Sequence, residues 1–175
     1  QEVEMTAQSK GRNQRAEWLL KAMEMVFQKG QGLWAHSLLD ALEGLTYEQA
    51  AWKPRKKGTR SIWGIVNHIN YWKELVAWHL KSEGSVEAED DWPPVTKGDA
   101  ETWRKAVRRL KRNHNAIIKG LQAHKELLVD LDRPCYLVKG QTVPWGDILY
   151  GLIAHDCYHT GQILMLRQLQ GIGLE

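Results

Sequence analysis

Near its C-terminal end the chain reads Gly151-Leu-Ile-Ala-His155-Asp-Cys-Tyr-His159-Thr-Gly-Gln162-Ile-Leu, with two histidines four residues apart. At about 100° per residue, side chains four positions apart in a helix lie on one face, one turn above the other. The same face carries the apolar residues Ile148, Leu152, Leu166 and Leu169. We therefore expect His155 and His159 to point into a helical core, where two adjacent imidazoles can hold one transition-metal ion.

A third ligand is expected from Ser61-Ile-Trp-Gly-Ile-Val-Asn-His68-Ile-Asn-Tyr-Trp72. His68 shares its helical face with Ile65 and Trp72, so its imidazole should also be buried. A buried imidazole needs partners for both ring nitrogens, and a metal ion is one way to provide them. Hydrogen bonds to neighbouring groups are the other way, and spacing alone leaves both interpretations open.

Two segments resemble the signature of the DinB-like (DinB/YfiT) superfamily, namely Ser61-Ile…His68 and His155-Asp-x-Tyr-His159-x-Gly-Gln162-Ile. Leu45-Thr…Ala51-Trp-Lys-Pro54 also fits the superfamily's pattern of a helix end followed by a proline. The resemblance extends from about residue 19 to residue 171. It implies an all-α four-helix bundle, a homodimer, and a divalent metal held by three histidines, at the positions occupied here by His68, His155 and His159.

The remaining pattern predicts four helices in one domain, residues 14–172, after a flexible N-terminal arm, residues 1–13. The first helix is predicted over 14–28 and 33–45, broken by glycines between the two segments. The others are predicted from Ser61 to about 81, from Asp99 to about 124, and from Pro144 to about 169. The connections between helices 2 and 3 and between helices 3 and 4 are long, which a bundle can accommodate.

The amino-acid composition limits the classes of function that we expect for this protein. The 175 residues are 43% hydrophobic and 26% charged, which is typical of a soluble globular protein. The net charge of +3 is too small to indicate a nucleic-acid partner. We see no signal peptide and no apolar run long enough for a membrane span. Two cysteines give no disulfide framework, and we expect a cytoplasmic protein.

Three further residues are candidates for the surroundings of the site. His155-Asp-x-x-His159 differs by one methylene from the His-Glu-x-x-His motif of zinc proteases, but Asp156 lies about 100° around the helix from His155. We interpret Asp156 as a partner that orients a ligand imidazole or as an inter-helix hydrogen bond. Gln162 either borders the cavity or satisfies another buried group, and Tyr158 either donates to a bound oxyanion or packs.

Three imidazoles with an open position are typical of a catalytic metal centre. The ligand set suits zinc, nickel, iron or copper, and we expect zinc or nickel. The superfamily that this chain resembles includes thiol-dependent S-transferases and a mycothiol-dependent maleylpyruvate isomerase. The resemblance therefore implies activation of a low-molecular-weight thiol toward a small-molecule substrate, with the basic loop 53–60 as a candidate for the thiol's carboxylates or simply as a solvated loop. The alternatives are a hydrolase that uses metal-bound hydroxide and a non-catalytic, metal-stabilised stress-response or binding protein.

Overall fold

Four long helices form the framework of the chain, for which the computed structural model describes residues 7–56, 58–87, 90–95 and 98–174. The helices are α1 (Ala7–Phe27), α2 (Leu38–Leu42), α3 (Tyr47–Ala51), α4 (Ile62–Ser82), α5 (Ala100–Ala123), α6 (Glu126–Val129) and α7 (Trp145–Leu169). Two short strands, β1 (Pro134–Cys135) and β2 (Val143–Pro144), pair antiparallel just before α7. The predicted all-α class is confirmed, and α1, α4, α5 and α7 are the long helices of the bundle.

The predicted starts of α4 and α5 are set by capping side chains. Ser61 Oγ accepts a hydrogen bond from the backbone N–H of Gly64 at 3.1 Å. Asp99 Oδ1 accepts from the backbone N–H of Thr102 at 2.8 Å, and the Thr102 hydroxyl accepts from the Asp99 N–H in return. These side chains satisfy N–H groups that have no partner within the first turn of a helix. α4 and α5 therefore begin where local sequence chemistry places them.

The predicted first helix differs from the structure at both ends. α1 already begins at Ala7, so residues 7–13 are helical although the sequence placed them in the arm, while residues 1–6 lie outside the described part. Alanine, glutamine, lysine and arginine favour helix without any apolar period. The segment predicted as helix over 33–45 is helical only over Leu38–Leu42. Ser37 and Asp40 form a capping box that starts the helix there, so residues 33–37 remain outside it.

The core is continuous along α4. α4 packs against α5, and α7 contacts α1, α2 and α4. Two clusters of buried apolar residues fill these contacts, one around Phe27, Ile62, Ile69, Leu110 and Ile163, the other around Met23, Val76, Ile117, Leu121 and Leu149. Burial of such side chains stabilises the fold by roughly 1.5–3 kcal/mol each. Among the helices of the described residues, none combines the length and the apolar character that crossing a bilayer requires.

The two long connections touch each other. The backbone N–H of Val86 donates to the carbonyl of Leu137 at 3.1 Å, and the N–H of Lys139 donates to the carbonyl of Val86 at 2.7 Å. This isolated parallel bridge between Val86 and Val138 ties the α4–α5 connection to the segment that precedes α7. Backbone groups in both connections are thereby paired. The α4–α5 connection then continues towards the histidines of α4 and α7.

Candidate metal centre

Three histidines from two helices meet between α4 and α7. His155 Nε2 lies 2.9 Å from His68 Nε2 and 3.1 Å from His159 Nε2. One ligand atom from each residue falls within 4.8 Å of the other two. His68 and His159 are buried, and His155 is partly buried. The structure therefore brings together the three residues that the sequence singled out.

Neighbouring groups fix the tautomers of two of these imidazoles. His68 Nδ1 donates to the backbone carbonyl of Asp91 at 2.8 Å, because a carbonyl can only accept. His159 Nδ1 donates to Gln162 Oε1 at 2.7 Å. The Gln162 amide nitrogen donates in turn to the Tyr158 oxygen at 2.8 Å, which orients the amide. With the proton on Nδ1 in both rings, the Nε2 atoms of His68 and His159 carry bare lone pairs directed at His155 Nε2.

This arrangement fits a divalent cation. His155 Nε2 can carry at most one hydrogen, so it cannot donate a full hydrogen bond to both His68 and His159, which lie 2.9 and 3.1 Å away. A tetrahedral ion with metal–nitrogen bonds of about 2.0–2.1 Å would separate its ligand nitrogens by roughly 3.3 Å. The nitrogen separations here are a few tenths of an ångström shorter. Three converging imidazole nitrogens are thus compatible with zinc, nickel or a similar ion.

The electrostatics keep the rings in the form that binds metal. Burial, together with smaller contributions from His159, His68 and Lys73, lowers the pKa of His155 to about 3. Burial also lowers the pKa of His159, although the hydrogen bond to Gln162 opposes this shift. Both rings are therefore neutral near pH 7. A neutral imidazole is the metal-ligating species, so no proton has to be displaced.

The α4–α5 connection holds His68 from a second direction. The Trp92 ring stacks on the His68 ring, with 4.0 Å between centroids and 5° between planes. The Arg60 guanidinium lies 4.7 Å from the centroid of the Trp92 ring. Trp72 Nε1 donates to Asp91 Oδ2 at 2.9 Å and so anchors the residue whose carbonyl orients His68. Sequence reasoning missed Asp91 and Trp92. A ligating histidine commonly donates its second N–H to a carbonyl or carboxylate, but that rule does not say which residue accepts.

Asp156 faces the bundle interior. Its Oδ2 accepts from Lys73 Nζ at 2.7 Å, and among the described residues its Oδ1 has no hydrogen-bond partner. The contact corresponds to the inter-helix interpretation of Asp156 and not to the orientation of a ligand imidazole. Burial raises the pKa of the Asp156 carboxyl, while Lys73 lowers it. Lys73, which the sequence did not single out, therefore links α4 to α7 immediately beside a candidate ligand.

The buried lysine also reaches α5. Lys73 Nζ lies 3.5 Å from His114 Nδ1, and His114 Nε2 donates to Glu24 Oε1 at 3.2 Å. Burial, together with a smaller contribution from the Lys73 charge, lowers the pKa of His114 to about 3. The His114 ring stacks on Phe27 at 3.7 Å between centroids. The His114 side chain is therefore a neutral core residue.

A cleft opens beside His159 and the loop that holds His68. We call it the arginine cleft; it is lined by Pro54, Gly58, Thr59, Arg60, Ile65, Trp92, Tyr158, Gly161, Gln162, Met165 and Leu166 and has a volume of about 720 Å³. Tyr158 is 63% exposed, and its ring lies 5.0 Å from the His159 ring. Gln162 both borders the cleft and orients His159. Volumes of this size accommodate small-molecule ligands.

The fold and the site define a class: a helical bundle with a histidine triad between two long helices, next to a cleft of small-molecule size. The sequence profile of the DinB superfamily matches residues 34–163, which include all three histidines. Because the match covers most of the chain, this protein belongs to the DinB superfamily. No curated protein matches the chain significantly.

Proposed function

We propose that this protein is a divalent-metal-dependent enzyme that activates a low-molecular-weight thiol and transfers it to an electrophilic small molecule. The observation that supports the proposal most directly is the convergence of three imidazole nitrogens, two of them with their tautomers fixed by Asp91 and Gln162. A zinc or nickel ion held by His68, His155 and His159 would lower the pKa of a thiol bound to it. Trp92 and Gln162, which contact His68 and His159, line the arginine cleft, so this cleft would lie close to the ion.

Arg60 and Tyr158 supply the groups that would bind the thiol compound. The guanidinium of Arg60 lies over Trp92 at the edge of the arginine cleft, where it can bind a carboxylate through two parallel N–H donors. Glutathione and bacillithiol carry such carboxylates. The Tyr158 oxygen accepts from Gln162, which leaves its hydroxyl hydrogen available for an anion in the cleft. The chain thus offers two donors beside the triad.

The transfer itself balances without an oxidant or a reductant. The thiol gives its proton to solvent, and the sulfur uses its electron pair to form a carbon–sulfur bond with the electrophile. The leaving group departs with the electron pair of the bond that breaks. The net products are a thioether, the leaving group with the electron pair of the broken bond, and a proton in solvent. The protein's own contribution is to hold the thiol and the electrophile close together and in register.

Thiol transfer is favoured over the two alternatives by particular contacts. Hydrolysis needs a general base near the triad, and the carboxylate of the His155-Asp-x-x-His159 motif is paired with Lys73 in the core. A purely structural metal site would be closed, whereas the arginine cleft borders the partners of His68 and His159. Both alternatives remain outcomes of the experiment below.

The experiment measures metal content and thiol consumption in the same samples. We expect one zinc or nickel ion per chain by elemental analysis, and accelerated conjugation of bacillithiol, mycothiol or glutathione to monobromobimane. The variant His159→Ala should lose both properties. The matched control His124→Ala, which changes a half-exposed histidine outside the triad, should keep both. A stoichiometrically metallated protein that consumes none of the three thiols contradicts the proposal, and ester hydrolysis by that protein would establish the hydrolase instead.

We further propose that the enzyme works as a homodimer in the cytoplasm. Met165 and Leu169 lie one turn apart on α7 and are 56% and 60% exposed, so association would cover apolar surface. Cys157 is a free, exposed thiol, which is typical of proteins from reducing compartments. Sedimentation equilibrium tests the dimer. We expect Leu169→Glu to shift the protein towards monomer, and a wild-type protein that is monomeric at high concentration would contradict the proposal.

A further inference from the structure

A second cleft reaches the triad from the other side of His155. We call it the apolar cleft; it is lined by Trp72, Val76, Leu137, Asp147, Ile148, Gly151, Leu152 and His155. Its volume is about 230 Å³. The residues come from α4, from α7 and from the connection before α7. His155 is the only member of the triad that lines it, and none of the described residues lines both this cleft and the arginine cleft.

The walls of the apolar cleft offer few polar groups to a ligand. The Trp72 indole N–H already donates to Asp91 Oδ2, so the ring presents only apolar surface. The walls formed by Val76, Ile148 and Leu152 are aliphatic. Among the described residues, Asp147 is the only acidic side chain in the lining, and it is exposed at the start of α7. A carboxylate there repels anions, whereas Arg60 in the arginine cleft attracts them.

The size of the apolar cleft limits its occupant. Pockets for drug-sized ligands have volumes of about 300–1,000 Å³, and this cleft, at about 230 Å³, is smaller. It therefore suits one ring or a short branched chain better than a long acyl chain. Because His155 forms one wall and its Nε2 meets His68 and His159, a group in the cleft lies next to the candidate metal ligands.

We propose that the apolar cleft binds the uncharged apolar part, an aryl or short branched alkyl group, of the electrophilic substrate. This inference rests on the proposed thiol transfer, because it assigns the two reactants to different clefts on the two sides of His155. The thiol compound, with its carboxylates, occupies the arginine cleft. The electrophile occupies the apolar cleft, where its reacting carbon is held near the triad. The chain therefore selects uncharged electrophiles over anionic ones.

Two glycines of α7 make a matched pair for the test. A Cβ atom at Gly151 or at Gly161 would meet nothing within 4 Å, so a side chain can start at either position without a clash at its first atom. Gly151 lines the apolar cleft, and Gly161 lines the arginine cleft. Replacing glycine inside a helix also removes a helix-destabilising residue. Gly151→Leu and Gly161→Leu should therefore both fold, and each should fill one cleft.

The first measurement is the binding of fluorobenzene, which is detected by the broadening of its ¹⁹F resonance. We expect saturable binding to the wild type and to Gly161→Leu, and affinity weakened by about tenfold or more in Gly151→Leu. Unchanged binding in Gly151→Leu, or no saturable binding to the wild type, overturns the proposal. The proposal would also be overturned if the wild type bound no fluorobenzene and Gly151→Leu changed the protein from dimer to monomer in sedimentation. That result would show that the apolar cleft is an interface between copies of the chain.

The second measurement separates this inference from the proposed function. The ¹⁹F experiment needs no turnover, so it is repeated on His159→Ala, in which we expect fluorobenzene binding to persist. If thiol transfer is absent but the Gly151→Leu effect on binding is present, the transferase proposal fails and the apolar binding site stands. If transfer occurs, Gly151→Leu should raise the KM for 1-chloro-2,4-dinitrobenzene, and Gly161→Leu should raise the KM for the thiol. Equal effects of both variants on both KM values would contradict the assignment of the clefts.

Discussion

The ammonium of Lys73 on α4 lies 2.7 Å from the carboxylate of Asp156 on α7, and the two side chains are 1% and 3% exposed. Asp156 is the next residue after His155, so the ion pair joins the two helices that carry the triad directly beside it. Each charge compensates the other in a region that water does not reach. The relative position of the histidines on α4 and α7 is therefore coupled to this contact.

Removing the lysine alone should destabilise the protein strongly. Lys73→Met leaves the Asp156 carboxylate buried without a counter-charge, and we expect the free energy of unfolding to fall by about 3–5 kcal/mol. Urea denaturation followed by circular dichroism measures the change. Replacing both residues, as in Lys73→Met with Asp156→Leu, should restore most of the loss. The control Lys111→Met changes an exposed lysine on α5 and should have little effect; a Lys73→Met protein as stable as this control would contradict the prediction.

The hydrogen bond from His159 to Gln162 should contribute to metal affinity. Gln162→Leu removes the acceptor that keeps the His159 proton on Nδ1, and loss of such a partner typically weakens metal binding by about 10–100-fold. Competition with a chromophoric chelator measures the affinity. Gln168→Leu, which changes an exposed glutamine on the same helix, is the control. Equal affinities of the two variants would show that Gln162 does not orient the ring.

Sequence and structure agree best where the information is local. Ser61 and Asp99 cap the helices that they were predicted to cap, and the i, i+4 pair on α7 follows from helical periodicity alone. Lys73 could not be found in this way, because lysines are mostly exposed and no local pattern marks a buried one. Trp92 lies in a connection without periodicity, so its stacking on His68 depends on how the whole chain packs. Local pattern thus predicted the three histidines that meet between α4 and α7, but not Lys73 and Trp92, which pack around them.

The metal-free protein should lose stability as the pH falls below about 6.5. Burial lowers the pKa of His114 to about 3 in the folded state, so the unfolded chain binds this proton more tightly. The contribution is fully present above the unfolded pKa, near 6.5, and is lost as the pH falls towards 3. The loss is up to about 1.4 kcal/mol per pH unit for one such histidine. Urea denaturation at several pH values between 7.5 and 4.5 measures the slope.

A variant isolates the part of this slope that His114 causes. In His114→Gln the dependence of stability on pH below 6.5 should be smaller than in the wild type by about the amount expected for one histidine. His36→Gln, at an exposed position, should keep the wild-type slope. Parallel curves for wild type and His114→Gln would mean that His114 is protonated in the folded protein.

A bound metal ion should raise the free energy of unfolding, and the increase should grow with the ratio of the free metal concentration to the Kd. At a free concentration of zinc or nickel one hundred times the Kd, we expect the free energy of unfolding to rise by about 2.7 kcal/mol. His68→Ala should remove this increase, and His36→Ala should keep it. The increase should also fade as the pH falls, because only neutral imidazoles bind the ion. A chelator that leaves the unfolding midpoint of the purified protein unchanged would contradict the prediction.

Asp91 and Trp92 are neighbours in one connection, yet they serve the triad and the arginine cleft at once. The Asp91 carbonyl sets the proton position on His68, and the Trp92 ring forms both the support of that histidine and a wall of the cleft. Under the proposed thiol transfer, a lineage that altered this connection to accept a differently shaped thiol would also change how firmly a bound ion is retained. Thiol preference and metal retention would then change together, and we expect changes in one to be accompanied by compensating changes around residue 68.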